Sequence, residues 1–140
     1  MRQTTPISTE SSPPAITGVD FVSIPSSDLA ASAAFYGGVL GLRQSVYMPD
    51  RHFSEYETGN LTLSVINSAG MGFEHHTSRN PVALHVEDVG AARAALEANG
   101  VTFAGDTFDT GVCHMAFFED PDGNALMLHH RYAPRVTAPE

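Results

Sequence analysis

The side chains able to do chemistry in this chain are few: seven histidines, a single cysteine and sixteen carboxylates. His85 and His129 stand out because each closes a short apolar run, "PVALH" and "ALMLH". In a strand, alternation sets them on the face opposite Leu84 and Leu128. An imidazole titrates near neutrality, so either ring is a candidate general base. With Cys113 or a carboxylate such as Glu55, the two rings are also candidates for a divalent metal site. No third ligand is placed by the sequence, and the plainer role is a polar contact to a bound molecule or to buried water. Cys113 as a nucleophile would need a neighbouring base and a lowered pKa; the sequence offers neither, and a buried packing cysteine is the reading preferred here.

The other histidines read as structure or surface. His75 and His76 fall in "GFEHHTSRN", a solvated linker. His52 follows "PDR" in a turn, His114 lies on the face opposite Cys113, and His130 is outward or at a strand end. There is no Ser-His-Asp order, phosphate-binding glycine loop or "HExxH" helix.

The elements that must position these groups come in a repeat. "VDFVSIPSSDLAASAAFYGGVLGL" (19–42) and "NPVALHVEDVGAARAALEANGVTF" (80–103) each run from apolar strand through Asp and helix to Gly. Asp28 and Asp88 are 60 residues apart, Gly41 and Gly100 are 59 apart, which indicates a duplicated unit. Both aspartates are placed to cap a helix. Gly37–Gly38 and Gly100 are expected as left-handed stops. Strand patterns follow: "RQSVYM", "FSEYE" and "LTLSVI", then "VTFAG", "CHMAFF" and "ALMLHH". "TGN" and "DPDGN" are turns, with Gly59 and Gly123 free to take positive φ. Each half is therefore β-α-β-β-β, and the fold class is α+β.

Length and charge bound the rest. With 140 residues a single domain is expected, at 16–133, with modules at 16–68 and 78–132. The Ser/Thr/Pro-rich 1–15 and the segment 134–140 read as disordered tails. The net charge is −9 and all seven basic residues are arginine, which argues against a nucleic-acid partner. No long apolar run suggests a membrane span, and no secretory signal is read at the N-terminus. One cysteine fits a reducing cytoplasm.

The stretches "FYGGVLGL", "VEDVGAARAALEANGV" and "FFEDPDGNALML" make the chain resemble the vicinal oxygen chelate superfamily, which includes glyoxalase I, bleomycin-resistance proteins and extradiol dioxygenases. The resemblance implies two βαβββ modules forming a curved mixed sheet around a cavity, and a homodimer. Metalloenzymes of the family take ligands from four positions, which here hold Phe21, a residue at or beside Ser64, Pro81 and Met127. None suits the family's His and carboxylate chemistry; a thioether is soft and matches Cu(I) better than divalent Fe, Mn, Zn or Ni. No metal and no cofactor are expected. Alternation turns Phe21, Ser23, Ala83, His85, Met127 and His129 toward the implied cavity, and the resemblance adds Ser64, Cys113, Met115 and Phe117. A mostly apolar wall with a few polar points suits a small apolar or aromatic molecule, and the acidic charge would tolerate a cationic one. Two functions remain open: a metal-independent binding protein, or an enzyme (lyase, isomerase or dioxygenase) using His85 and His129 as acid–base groups or as an off-pattern metal site.

Overall fold

The computed structural model describes residues 12 to 135. The tails expected at 1–15 and 134–140 lie largely outside that range. β1 (Phe21–Pro25) leads into helix α1 (Leu29–Ala33), then β2 (Arg43–Met48), β3 (Phe53–Glu57) and β4 (Thr62–Ile66). The second module repeats this with β5 (Val82–His85), α2 (Val89–Ala98), β6 (Phe103–Asp109), β7 (Cys113–Glu119) and β8 (Ala125–Arg131). Each module makes one four-stranded mixed sheet, in the orders β1-β4-β3-β2 and β5-β8-β7-β6. The first strand of each lies parallel to the last, and the other pairs are antiparallel.

The helices start where the aspartates dictate. Asp28 Oδ1 accepts from Ala31 N at 3.1 Å, and Asp88 Oδ1 accepts from Ala91 N at 2.9 Å. The stop of the first helix differs from expectation. Gly37 and Gly38 lie inside a π-helical extension, Ala34–Val39, and the left-handed residue is Gly41 with φ 70°. The wider turn seats Phe35 and Tyr36 in succession in the core, with their rings edge to face. The second helix ends as expected, on Gly100 at φ 91°.

One face of each sheet packs on the helices. Ile24, Tyr56, Leu63, Val65, Ala116, Phe118, Leu126 and Leu128 are buried there against Leu29, Phe35, Tyr36, Val89 and Leu96. Side chains from both modules form one core, which is why the opposite face of each sheet is left to other uses.

The "DPDGN" turn is more than a turn. Asp120 and Asn124 are buried, and Asn124 Nδ2 donates to Pro25 O at 2.7 Å, across the modules. The Tyr36 hydroxyl donates to Asp120 Oδ2 at 2.6 Å, while Ser27 N and its hydroxyl both donate to the Asp122 carboxylate. These bonds fix the start of β8 against the end of β1. Among the described residues no helix is long and apolar enough to cross a membrane.

Candidate functional site

The sheet faces turned away from the core carry the predicted site residues. On the first sheet Phe21 pairs with Thr62 and Ser23 with Ser64, and Ser64 also faces Glu55 on β3. Phe21 is 51% exposed although apolar, while Ser64 is buried. On the second sheet Ala83 pairs with Met127 and His85 with His129. Across β7 and β8 the pairs are Phe117 with Met127, Met115 with His129, and Cys113 with Arg131. Met115, Phe117, Met127 and His129 are half-buried, Ala83 is exposed, and the Cys113 thiol is buried.

The registers give an internal check on the four positions of the family's metal. Phe21 lies two residues before Ser23, the partner of Ser64. Pro81 lies two residues before Ala83, the partner of Met127. The same diagonal in both modules favours Ser64 over its neighbours as the first module's second position. The set is thus phenyl, hydroxyl, pyrrolidine and thioether, which does not fit a divalent ion of the Fe, Mn, Zn or Ni kind.

Neither of the two largest described clefts brings these residues together. A cleft of about 750 Å³ between the modules is lined by Val39, Leu42, Leu63, Leu96 and Leu128, and of the predicted residues it reaches only Ala83 and His85. A second, of about 710 Å³, reaches Phe117. Apart from the buried Ser64 and Cys113, the predicted lining is half-buried or exposed on the sheet faces away from the core.

The His85 ring meets a different histidine from the one sequence suggested. His85 and His129 are register partners, yet the ring beside His85 is that of His130, 5.8 Å between centroids. His85 Nε2 also lies 3.0 Å from Glu87 Oε1, and this hydrogen bond, with the imidazole's charge, holds the Glu87 carboxyl below its ordinary range. His85, Glu87 and His130 each offer a ligand atom, all within 4.8 Å of one another. Neither Cys113 nor Glu55 belongs to the group. His75, expected on the surface, is half-buried with Nε2 3.9 Å from Asp122. His76 is exposed as expected.

Sequence reasoning passed over Glu87 and Arg131. Counting by two from Met127 through His129 arrives at Arg131, so its face was open to the same alternation. Glu87 needed only the two-residue spacing from His85, at the point where β5 ends.

This paired-module architecture, with open faces on both sheets, defines a class, and comparison with known proteins makes it specific. The sequence pattern of the Glyoxalase/Bleomycin resistance protein/Dioxygenase superfamily matches residues 18–128, and the chain belongs to that superfamily. A lactoylglutathione lyase of Haemophilus influenzae is 33% identical over 107 residues, covering 69% of this chain and 79% of that protein. The crystal structure of an antibiotic binding protein from Streptomyces sp. CB03234 superposes with TM-score 0.72 at 26% identity, covering 84% of this chain and 98% of the other. A glyoxalase family protein from Bacillus anthracis, 18% identical, shares the fold with TM-score 0.72 over 86% of this chain and 99% of its own.

Proposed function

We propose that the protein is a metal-independent small-molecule-binding member of the superfamily, taking an apolar or aromatic molecule on the open sheet faces. The observation that carries this reading is the pair Phe21 and Met127. Both stand outside the core, at the positions where metalloenzymes of the family hold ligands. An exposed phenylalanine on a sheet face keeps apolar area in water, and covering it is favourable. A ligand against Phe21, Met115, Phe117 and Met127, closed over by a second copy of the chain, would remove that cost and enclose the site. The similarity to an antibiotic binding protein supports the same reading. A free thiol at Cys113 is in keeping with a cytoplasmic location.

A thermal-shift screen of aromatic and polycyclic compounds tests it. A compound at 100 times its Kd should stabilise the fold by about 2.7 kcal/mol. A hit whose effect survives replacement of both Phe21 and Met127 by polar residues would place binding elsewhere.

The second reading is an enzyme, favoured by the similarity to a lactoylglutathione lyase and by the His85–Glu87–His130 cluster. Its chemistry would run through imidazoles that the family's own metal positions do not include. Loss of a measured turnover in His85→Ala and His130→Ala, with ligand binding intact, would establish it over the first.

A further inference from the structure

The open face of the second sheet is graded along its length. At the start of β8 Ala125 pairs with Glu119, and from there the cross-strand pairs on this face run Phe117 with Met127, Met115 with His129, and Cys113 with Arg131. Successive pairs on one face are about 7 Å apart. Beyond Glu119, which lies 3.6 Å from Arg79, the surface therefore passes from apolar side chains, past an imidazole, to a guanidinium.

Arg131 is short of acceptors. A guanidinium carries five N–H donors. Among the described residues, Nη2 donates to Pro134 O at 3.2 Å and Nη1 reaches Cys113 Sγ at 4.0 Å. Nε is buried with no partner. The chain holds sixteen carboxylates, and Arg79 and Arg93 each have one within salt-bridge distance, Glu119 and Glu97. No described carboxylate pairs with Arg131. An unpaired buried N–H on a fixed charge is unfavourable, and the planar fork is shaped for a carboxylate.

We propose that Arg131 receives the carboxylate of the bound molecule, so that the ligand class is an elongated aromatic or apolar acid. This inference rests on the sheet-face binding reading above. The acid's rings would lie over Phe117, Met127 and Met115, and its charged end beside Cys113. Two rungs, about 13 Å, separate Met127 from Arg131 along β8, which suits a two-ring acid better than a one-ring one. The protein's overall negative charge makes a cationic ligand tolerable at long range. On the open face of the second sheet Glu119 is paired with Arg79, which leaves Arg131 as the fixed charge there with no described carboxylate partner, and contact charge decides specificity.

Three isosteric probes test this: biphenyl-4-carboxylate, biphenyl-4-carboxamide and 4-biphenylmethylammonium, titrated calorimetrically into the full chain and into Arg131→Gln. The carboxylate should bind at least about tenfold more tightly than the amide, the ammonium most weakly. Arg131→Gln should erase the carboxylate preference and leave the amide's affinity within about twofold. If that variant does not fold, Arg131→Lys, which keeps the charge but not the fork, should retain a reduced preference. Equal binding of carboxylate and amide to the unaltered chain overturns the inference and leaves the apolar site standing. So does a preference that Arg131→Gln preserves, or an Arg131→Gln chain that keeps the preference but changes its sedimentation, which would make the counter-charge a second copy's carboxylate. Failure of all three probes to bind overturns the sheet-face reading and this inference together.

Discussion

Met127 pairs with Phe117 on one side and Ala83 on the other, half-buried on a face that no helix covers. Met127→Leu should cost less than about 1.5 kcal/mol. Met127→Glu should fold too, because the carboxylate reaches water, and should weaken binding of an apolar ligand. A urea melt separates the outcomes: if Met127→Glu unfolds while Met127→Leu is unharmed, the face is a closed core and the binding reading loses its support. Tyr36 is the opposite case. Burial, then the hydrogen bond and charge of Asp120, push its phenol well above the ordinary tyrosine range. The unfolded chain releases that proton near pH 10 while the folded chain keeps it. The stability Tyr36 provides is therefore complete below about pH 10 and declines above it. Tyr36→Phe should flatten that alkaline decline, and at neutral pH should cost about 1–3 kcal/mol by taking a donor from Asp120. A variant with an unchanged slope between pH 9 and 11 would show that the phenol is not held protonated. At this scale the sequence was legible where alternation applies. Phe21 and Met127 stand on the faces that period two assigns them, whereas β7 is apolar on both faces and only the family resemblance separated Met115 and Phe117 from Ala116 and Phe118. It was not legible for His85, whose ring at the end of β5 lies by His130, because alternation orients a side chain at the backbone and says nothing of the rotamer beyond it.

The elements owe their limits to a few polar groups. Asp88 caps α2, and Asp88→Ala should cost about 1 kcal/mol while leaving ligand affinity nearly unchanged. A large binding defect in the folded variant would mean the carboxylate has a second task. Both caps were readable from Asp at matching places in the repeat, and so were the strands after them. The end of α1 was not: Gly37 and Gly38 look like a stop locally, but packing of Phe35 and Tyr36 carries the winding on to Gly41. "DPDGN" was readable as a turn from Gly123, and its deeper role was hidden because its partners are distant in sequence. Asn124 meets Pro25 O, 99 residues away, and Ser78 N, 46 away. Asn124→Ala should leave these part-buried groups unpaired and cost about 1–3 kcal/mol, measurable as a lowered urea midpoint.

At the scale of the whole molecule, two sheets share one core and turn their other faces outward. If function needs no metal, protein purified without added ions should carry well under one divalent ion per chain by elemental analysis. About one Zn, Ni, Fe or Mn per chain, lost in His130→Ala, would shift the case to the enzyme reading. The duplicated architecture was legible from the 60-residue period, whereas the division of the predicted lining between separate clefts was not, since period two fixes a face but not what stands opposite it. The link between the modules has a further consequence. Each half is a complete sheet with its own helix, and Tyr36–Asp120, Ser27–Asp122 and Asn124–Pro25 bind the halves without help from the connecting chain. Phe73 is 67% exposed in that connection, and its backbone N–H bonds only locally, to Ser68 O at 3.0 Å, so a break there disturbs one short turn and no bond between the modules. The protein is in effect a tethered heterodimer, and should work as a split pair. With a protease site inserted between Gly72 and Phe73, the cut fragments should co-elute from gel filtration and keep the ligand affinity of the intact chain, and should separate when Asn124 is alanine.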